Sequence, residues 1–83
     1  MKNIEKNKSY IIKDFSYIDL SNILIGKLTQ FKSDCEFFPN FDVIGKVKRI
    51  SIAKNNEILI HIIVKNKEYQ IGSNMSNLSF QLL

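Results

Sequence analysis

Between Val43 and Val64 the chain reads VIGKVKRISIAKNNEILIHIIV, two β-branched runs separated by Lys54, Asn55, Asn56 and Glu57. Isoleucine and valine favour the pleated, half-buried surface of a strand, and asparagine tolerates the positive φ of a tight turn, so the stretch reads as a β-hairpin. Its register follows from its hydrophobic pattern. A two-residue turn at Asn55-Asn56 would set Ile50 and Ile52 on the face opposite Ile58, Ile60 and Ile62, splitting the core. A three-residue loop, Lys54 to Asn56 with Asn56 left-handed, instead pairs Ile52 with Ile58 and Ile50 with Ile60. A further bulge near Lys48-Arg49 brings Val47 to the same inner face. Arg49, Ser51, Leu59, His61 and Ile63 are left on the outer face, half apolar and in need of cover.

Upstream lies the clearest helix signal in the chain. Ser16 is placed as N-cap, Asp19 at the positive helix end and Gly26 as the stop, with Phe15 and Leu20 at the staple positions. Leu20, Ile23 and Leu24 repeat at helical spacing, predicting an amphipathic helix over about residues 17 to 25. That helix is the natural cover for the outer hairpin face, with Leu20, Ile23 and Leu24 against Leu59 and Ile63; the alternative cover is a protein partner or a second copy. Residues 1 to 8 are polar and lysine-rich around one isolated Ile4, which predicts a disordered tail, and residues 9 to 83 form a single domain. Tyr10-Ile11-Ile12 is a short edge strand. Residues 27 to 33 alternate as a strand, residues 34 to 42 read as an acidic, aromatic loop holding the only proline, and Lys65-Asn66-Lys67 as a second turn. Strands at 68–71, with Tyr69 and Ile71 facing in, and at 78–82 flank a segment, residues 72–77, with room for one 3₁₀ turn.

Strand, long irregular loop, three strands joined by tight turns, a 3₁₀ turn and a final strand is an order that resembles the SH3-like small β-barrel. IGKLTQFKSD stands for its first strand, CEFFPNFD for its long loop, Asn55-Asn56 and Asn66 for its hairpins, and SNMSN precedes the last strand, LSFQLL. The resemblance covers residues 25 to 83 and implies a mainly β protein: a five-stranded antiparallel barrel over about residues 26–83 with one short N-terminal helix added. That fold hosts nucleic-acid binders, peptide binders and assembly modules alike, so it implies no single activity.

Eighty-three residues allow one core, burying about 60 to 65% of the unfolded surface. Twelve Lys and Arg against eight Asp and Glu give a net charge of +4, which biases the surface towards anionic partners without making a polybasic tail. One cysteine, Cys35, excludes an intrachain disulfide and suits a reducing cytoplasm. The start, MKNIEKNK, has no apolar h-region, and the longest apolar run, broken by His61, is too short for a membrane span.

Catalytic and metal chemistry find little support. Cys35 and His61 are the only soft-ligand pair, too few for zinc, and Asp34 and Glu36 flank Cys35 with charges that oppose a thiolate. No cofactor, catalytic residue or metal site is expected, and His61 reads as a partly buried hydrogen-bond donor. Asp34, Glu36 and Asp42 match no calcium-loop spacing and read as a solvated acidic rim. Phe37, Phe38 and Phe41 carry more weight: three phenylalanines within five residues either fold back to plug the barrel or leave one protruding as a hot spot ringed by acids. The candidate partner-binding set is therefore Asp34, Glu36, Phe37, Phe38, Phe41 and Asp42.

Lys46, Lys48, Arg49 and Lys54, with Lys65 and Lys67, form a basic edge and the candidate nucleic-acid set. Their ordinary role is to solvate strands and discourage edge pairing, and the aromatics that would stack bases are segregated in an acidic loop. The expectation is a non-enzymatic binding module that contacts a host protein or nucleoprotein complex as inhibitor or adaptor, with direct nucleic-acid binding as the alternative. A small stand-alone domain of this kind resembles the accessory proteins of phages and other mobile elements, which block or recruit a host nucleoprotein machine.

Overall fold

The computed structural model describes residues 4–35 and 38–83, with the backbone alone for Cys35 and residues 38–40. Six strands form one antiparallel sheet: β1 (Ser9–Ile11), β2 (Leu28–Cys35), β3 (Phe38–Ile52), β4 (Ile58–Val64), β5 (Lys67–Gly72) and β6 (Ser79–Leu82), in the order β1-β6-β2-β3-β4-β5. A 3₁₀ turn (Ile12–Asp14), absent from the sequence expectation, and helix α1 (Tyr17–Leu24) join β1 to β2. The fold is mainly β with one helix, as expected. The closed five-stranded barrel is not what forms. The edge of β6 is taken by the short β1, the edge of β5 pairs with no strand among the described residues, and so the sheet stays open.

The β3–β4 hairpin adopts the register that its hydrophobic pattern demands. Ile50 pairs with Ile60 and Ile52 with Ile58; the register shifts between Val47 and Arg49, and Val47 then faces Ile62. Asn56 has φ 66°, its N–H donates to the Ala53 carbonyl (3.0 Å), and Ala53 N–H donates to the Glu57 carbonyl (2.8 Å). A tight turn followed by one left-handed residue is the three-residue solution. At the next hairpin Lys65 and Asn66 both have positive φ, 51° and 67°, so the turn holds two residues and Lys67 already belongs to β5. Residues 72–77 form two successive turns, closed by Met75 N–H to the Gly72 carbonyl and Leu78 N–H to the Met75 carbonyl, in place of a 3₁₀ turn.

Helix α1 starts and stops where its signals place it. Ser16 Oγ accepts from Asp19 N–H (3.1 Å), and Gly26 takes φ +82° as its own N–H donates to the Val47 carbonyl (2.8 Å). Its position corrects the sequence expectation. Leu20, Ile23 and Leu24 join one core with Val47, Ile50, Ile60 and Ile62, and Tyr17 Oη donates to the Ile50 carbonyl (3.2 Å). The helix therefore lies on the inner face and leaves Leu59 and Ile63 uncovered by it. The inner face offers an unbroken apolar surface, whereas Arg49, Ser51 and His61 interrupt the outer one, so more apolar area leaves water on the inner side. Phe15, Phe31, Ile71, Leu78 and Phe80 complete this core, with Phe80 against Phe15 (centroids 5.4 Å apart) and Tyr10 (5.6 Å). Ahead of β1, Ile4 packs on the core and Asn7 N–H donates to the Leu82 carbonyl (2.8 Å).

β3 lies close against β4 at Gly45. A β-carbon there would stand 2.9 Å from Val64 Cγ2 and 3.0 Å from the Ile63 carbonyl oxygen. Gly45→Ala is therefore expected to cost about 1–3 kcal/mol, lowering the thermal midpoint by about 4–8 °C per kcal/mol in a domain of this size. Gly72→Ala meets only the flexible Glu57 carboxylate and should cost less. Thermal unfolding of the two variants checks this: equal losses would contradict a tight crossing at Gly45.

Candidate functional site

Where the inner face runs beyond the helix, the open sheet leaves an apolar pocket of about 220 Å³. Phe41 and Val43 of β3 form one wall, Ile62 of β4 the floor, and Tyr69 and Ile71 of β5 the other wall, with Met75 at the end and Gln70 at the rim. Strand alternation explains this set, since Phe41 and Val43 are two apart on β3, and so are Tyr69 and Ile71 on β5. Met75 is held by its turn. Ser73 Oγ accepts from Ile58 N–H (2.9 Å), Ser33 Oγ donates to the Ser76 carbonyl (2.6 Å), and Glu57 Oε2 accepts from Asn74 N–H (3.1 Å). Tyr69 is 50% exposed beside this pocket. Its size is below the roughly 300–1,000 Å³ of small-molecule sites, so it suits a side chain or two of a larger partner.

The expected acidic loop is a hairpin. β2 runs to Cys35 and β3 starts at Phe38, with Ser33 opposite Phe41 and Cys35 opposite Phe38. Of the predicted partner-binding residues, Glu36 and Phe37 lie outside the described residues, and Phe38 is described by its backbone alone. Phe41 packs partly buried against the core as a pocket wall. Asp42 points to the other face, where Gln30 Nε2 donates to its Oδ1 (2.8 Å), so Asp42 takes no part in an acidic ring around Phe41. Asp34 is exposed. The loop expectation failed because a segment of mixed acids and aromatics still alternates in and out over residues 41–44, and the pairing of β2 supplied the partner strand that the sequence alone did not reveal. Tyr69, Val43 and Met75 escaped notice as site residues. The inward alternation of Tyr69 and Ile71 was the available signal.

The basic residues divide. Lys48 Nζ and Arg49 Nη2 both contact Glu68, at 3.0 and 3.4 Å, on the outer face. Lys46, Lys54, Lys65 and Lys67 are exposed. On the same outer face Ser51 Oγ lies 3.0 Å from His61 Nε2, and His61 Nδ1 lies 3.4 Å from Glu68 Oε2. Hydroxyl, imidazole and carboxylate thus stand in line across three strands. His61 is only 6% exposed, and the row ties β3, β4 and β5 together. A second, shallower pocket, between Ile25, Gly26, Val47 and Ile63, is rimmed by Lys46 and Lys48. Among the described residues no group of three or more His, Cys, Asp or Glu could hold a metal ion, and no helix is long and apolar enough to cross a membrane.

The hydrogen bond from Lys48 is the largest influence on Glu68. With the charges of Lys48 and Arg49 it holds the Glu68 carboxyl below its ordinary 4.5, against an opposing effect of partial withdrawal from water. A carboxyl with a depressed folded-state value stabilises the fold above its unfolded value and loses that contribution as pH falls through the folded one. Urea unfolding of the wild type and Glu68→Gln is therefore expected to show a stability gap near pH 6 that narrows as the pH drops below about 4.5. A gap that stays constant into strong acid would contradict the ion-pair assignment.

Comparison of the chain with protein-family models, curated proteins and solved structures yields no match.

Proposed function

We propose that the protein is a non-enzymatic binding module that holds a partner protein at the pocket between β3 and β5, acting as an inhibitor or adaptor on a host protein or nucleoprotein complex. The observation that carries this reading is the half-exposed Tyr69 standing over an open apolar pocket lined by Phe41, Ile71 and Met75. Tyrosine gives a large apolar contact with a polar tip, and it is among the residues that dominate interface energies. Of the aromatic segment, Phe41 contributes a wall of this pocket, beside the half-exposed Tyr69.

The strand order β6-β2-β3-β4-β5 is compatible with an SH3-like chain whose first strand is β2, a fold that presents ligand surfaces between its strands and loops. A small module of this kind fits the accessory role in phages and other mobile elements that its size and composition suggest. Direct nucleic-acid binding is the weaker reading, because two of the six basic residues on which it relies, Lys48 and Arg49, are already engaged by Glu68.

Affinity capture from the native host, with nuclease treatment, followed by calorimetry on the recovered partner, tests the reading. Tyr69→Ala is expected to weaken binding about 30-fold, corresponding to about 2 kcal/mol, with a thermal midpoint close to that of the wild type because half of the side chain already meets water. Capture that disappears with nuclease, or that is unchanged by Tyr69→Ala, would overturn it.

A further inference from the structure

Two strands of the sheet have an unpaired edge, and they are not equivalent. β1 is three residues long, whereas β5 presents six, and among the described residues no backbone group of residues 67–71 bonds to anything outside the β4–β5 ladder. The turn fixes which groups face outward. A two-residue turn with both φ positive closes on a hydrogen-bonded pair, here Val64 with Lys67, and such pairs alternate along an antiparallel ladder. Tyr69 and Ile71 therefore bond to β4, through Ile62 and Ile60, and the N–H and C=O groups of Glu68 and Gln70 point into solvent. The side chains divide the other way, with Tyr69 and Ile71 on the pocket face and Glu68 and Gln70 on the outer face.

An open row of donors and acceptors beside an apolar pocket is what a strand-adding ligand requires: backbone bonds to the edge, and alternate side chains into the pocket. Charge selects among such ligands. Lys65 and Lys67 stand exposed at the turn end of this edge, Lys48 and Arg49 reach across from β3 to hold the Glu68 carboxylate, and Glu57 lies at the far end beside Gly72 and Asn74, so among the described residues the turn end carries the unmatched positive charge. A nucleic acid would satisfy the charge but has no extended peptide backbone to match the exposed N–H and C=O groups, and no aliphatic side chain for the pocket.

Building on the pocket reading above, we propose that β5 accepts an extended segment of a partner protein as an added strand, with apolar side chains beside Tyr69 and Ile71 on the pocket face and acidic residues at the end of the segment that meets Lys65 and Lys67.

The test titrates the isotope-labelled full chain with a synthetic ten-residue peptide whose alternating leucine–threonine centre is flanked by glutamates at both ends, and with its lysine-for-glutamate counterpart, following amide resonances and exchange. The glutamate peptide is expected to shift and protect the amides of Glu68 and Gln70, and to bind about tenfold more weakly when Lys65 and Lys67 are both changed to glutamate. Gln70→Pro removes one outward N–H while leaving the β4 ladder intact, and is expected to weaken binding about five- to tenfold. Equal binding of the two peptides, unprotected Glu68 and Gln70 amides, preferential binding of a single-stranded oligonucleotide, or occupation of β5 by a second copy at working concentration would each overturn the proposal. Tyr69→Ala separates the two readings: if it abolishes binding while Gln70→Pro does not, the pocket stands and strand addition falls, and if neither matters, both fall.

Discussion

The structure depends on β3 being able to change direction. Its first part pairs with β2 and its second with β4, along one fifteen-residue strand whose register against β4 shifts between Val47 and Arg49. The bulge at Lys48 bends the strand, and Gly45 lets it lie close against β4. The glycine removes the atom that would strike Val64, and the bulge inserts one residue so that Val47 and Ile50 reach the same side although three positions separate them. Without the bulge the alternation would place Val47 and Ile50 on opposite faces, and the helix would lose one of the two as a packing partner.

That bend also locates the helix. The Gly26 N–H donates to the Val47 carbonyl and the Val47 N–H donates to the Lys27 carbonyl, so the chain leaving the helix is stitched to β3 beside the bulge. Leu20, Ile23 and Leu24 then fall onto Val47, Ile50 and Ile60. The helix is eight residues long, too short to cover the whole inner face. The pocket between Phe41 and Tyr69 is the part of that face left over, and the edge of β5 is the part of the sheet left unpaired. Both belong to an open sheet. Closure into a barrel would require the two ends to pair, but the β6 end already carries β1.

The outer face shows how a sheet stabilises itself without a second layer. His61 is nearly buried on the face opposite the helix, held between Ser51 and Glu68, while Lys48 and Arg49 converge on the same carboxylate. Surface ion pairs of this kind are individually weak. Their joint effect here is to link the strands on the side opposite the core, and to keep a polar face that the helix has no reason to prefer.

Local pattern alone determined a good deal. The three-residue loop at Lys54 to Asn56, the bulge beside Lys48 and the caps of α1 at Ser16 and Gly26 were all legible, because each depends on a few adjacent residues and on which face a strand must bury. Choices between distant surfaces were decided by the tertiary structure. Which side of the hairpin receives the helix depends on the apolar area that each face offers once all six strands are assembled. Whether residues 34 to 42 form a loop or a hairpin depends on the partner that β2 provides. The pocket is the extreme case: Phe41, Tyr69 and Met75 are far apart in sequence, and only the pairing of β3, β4 and β5 in one sheet brings them together.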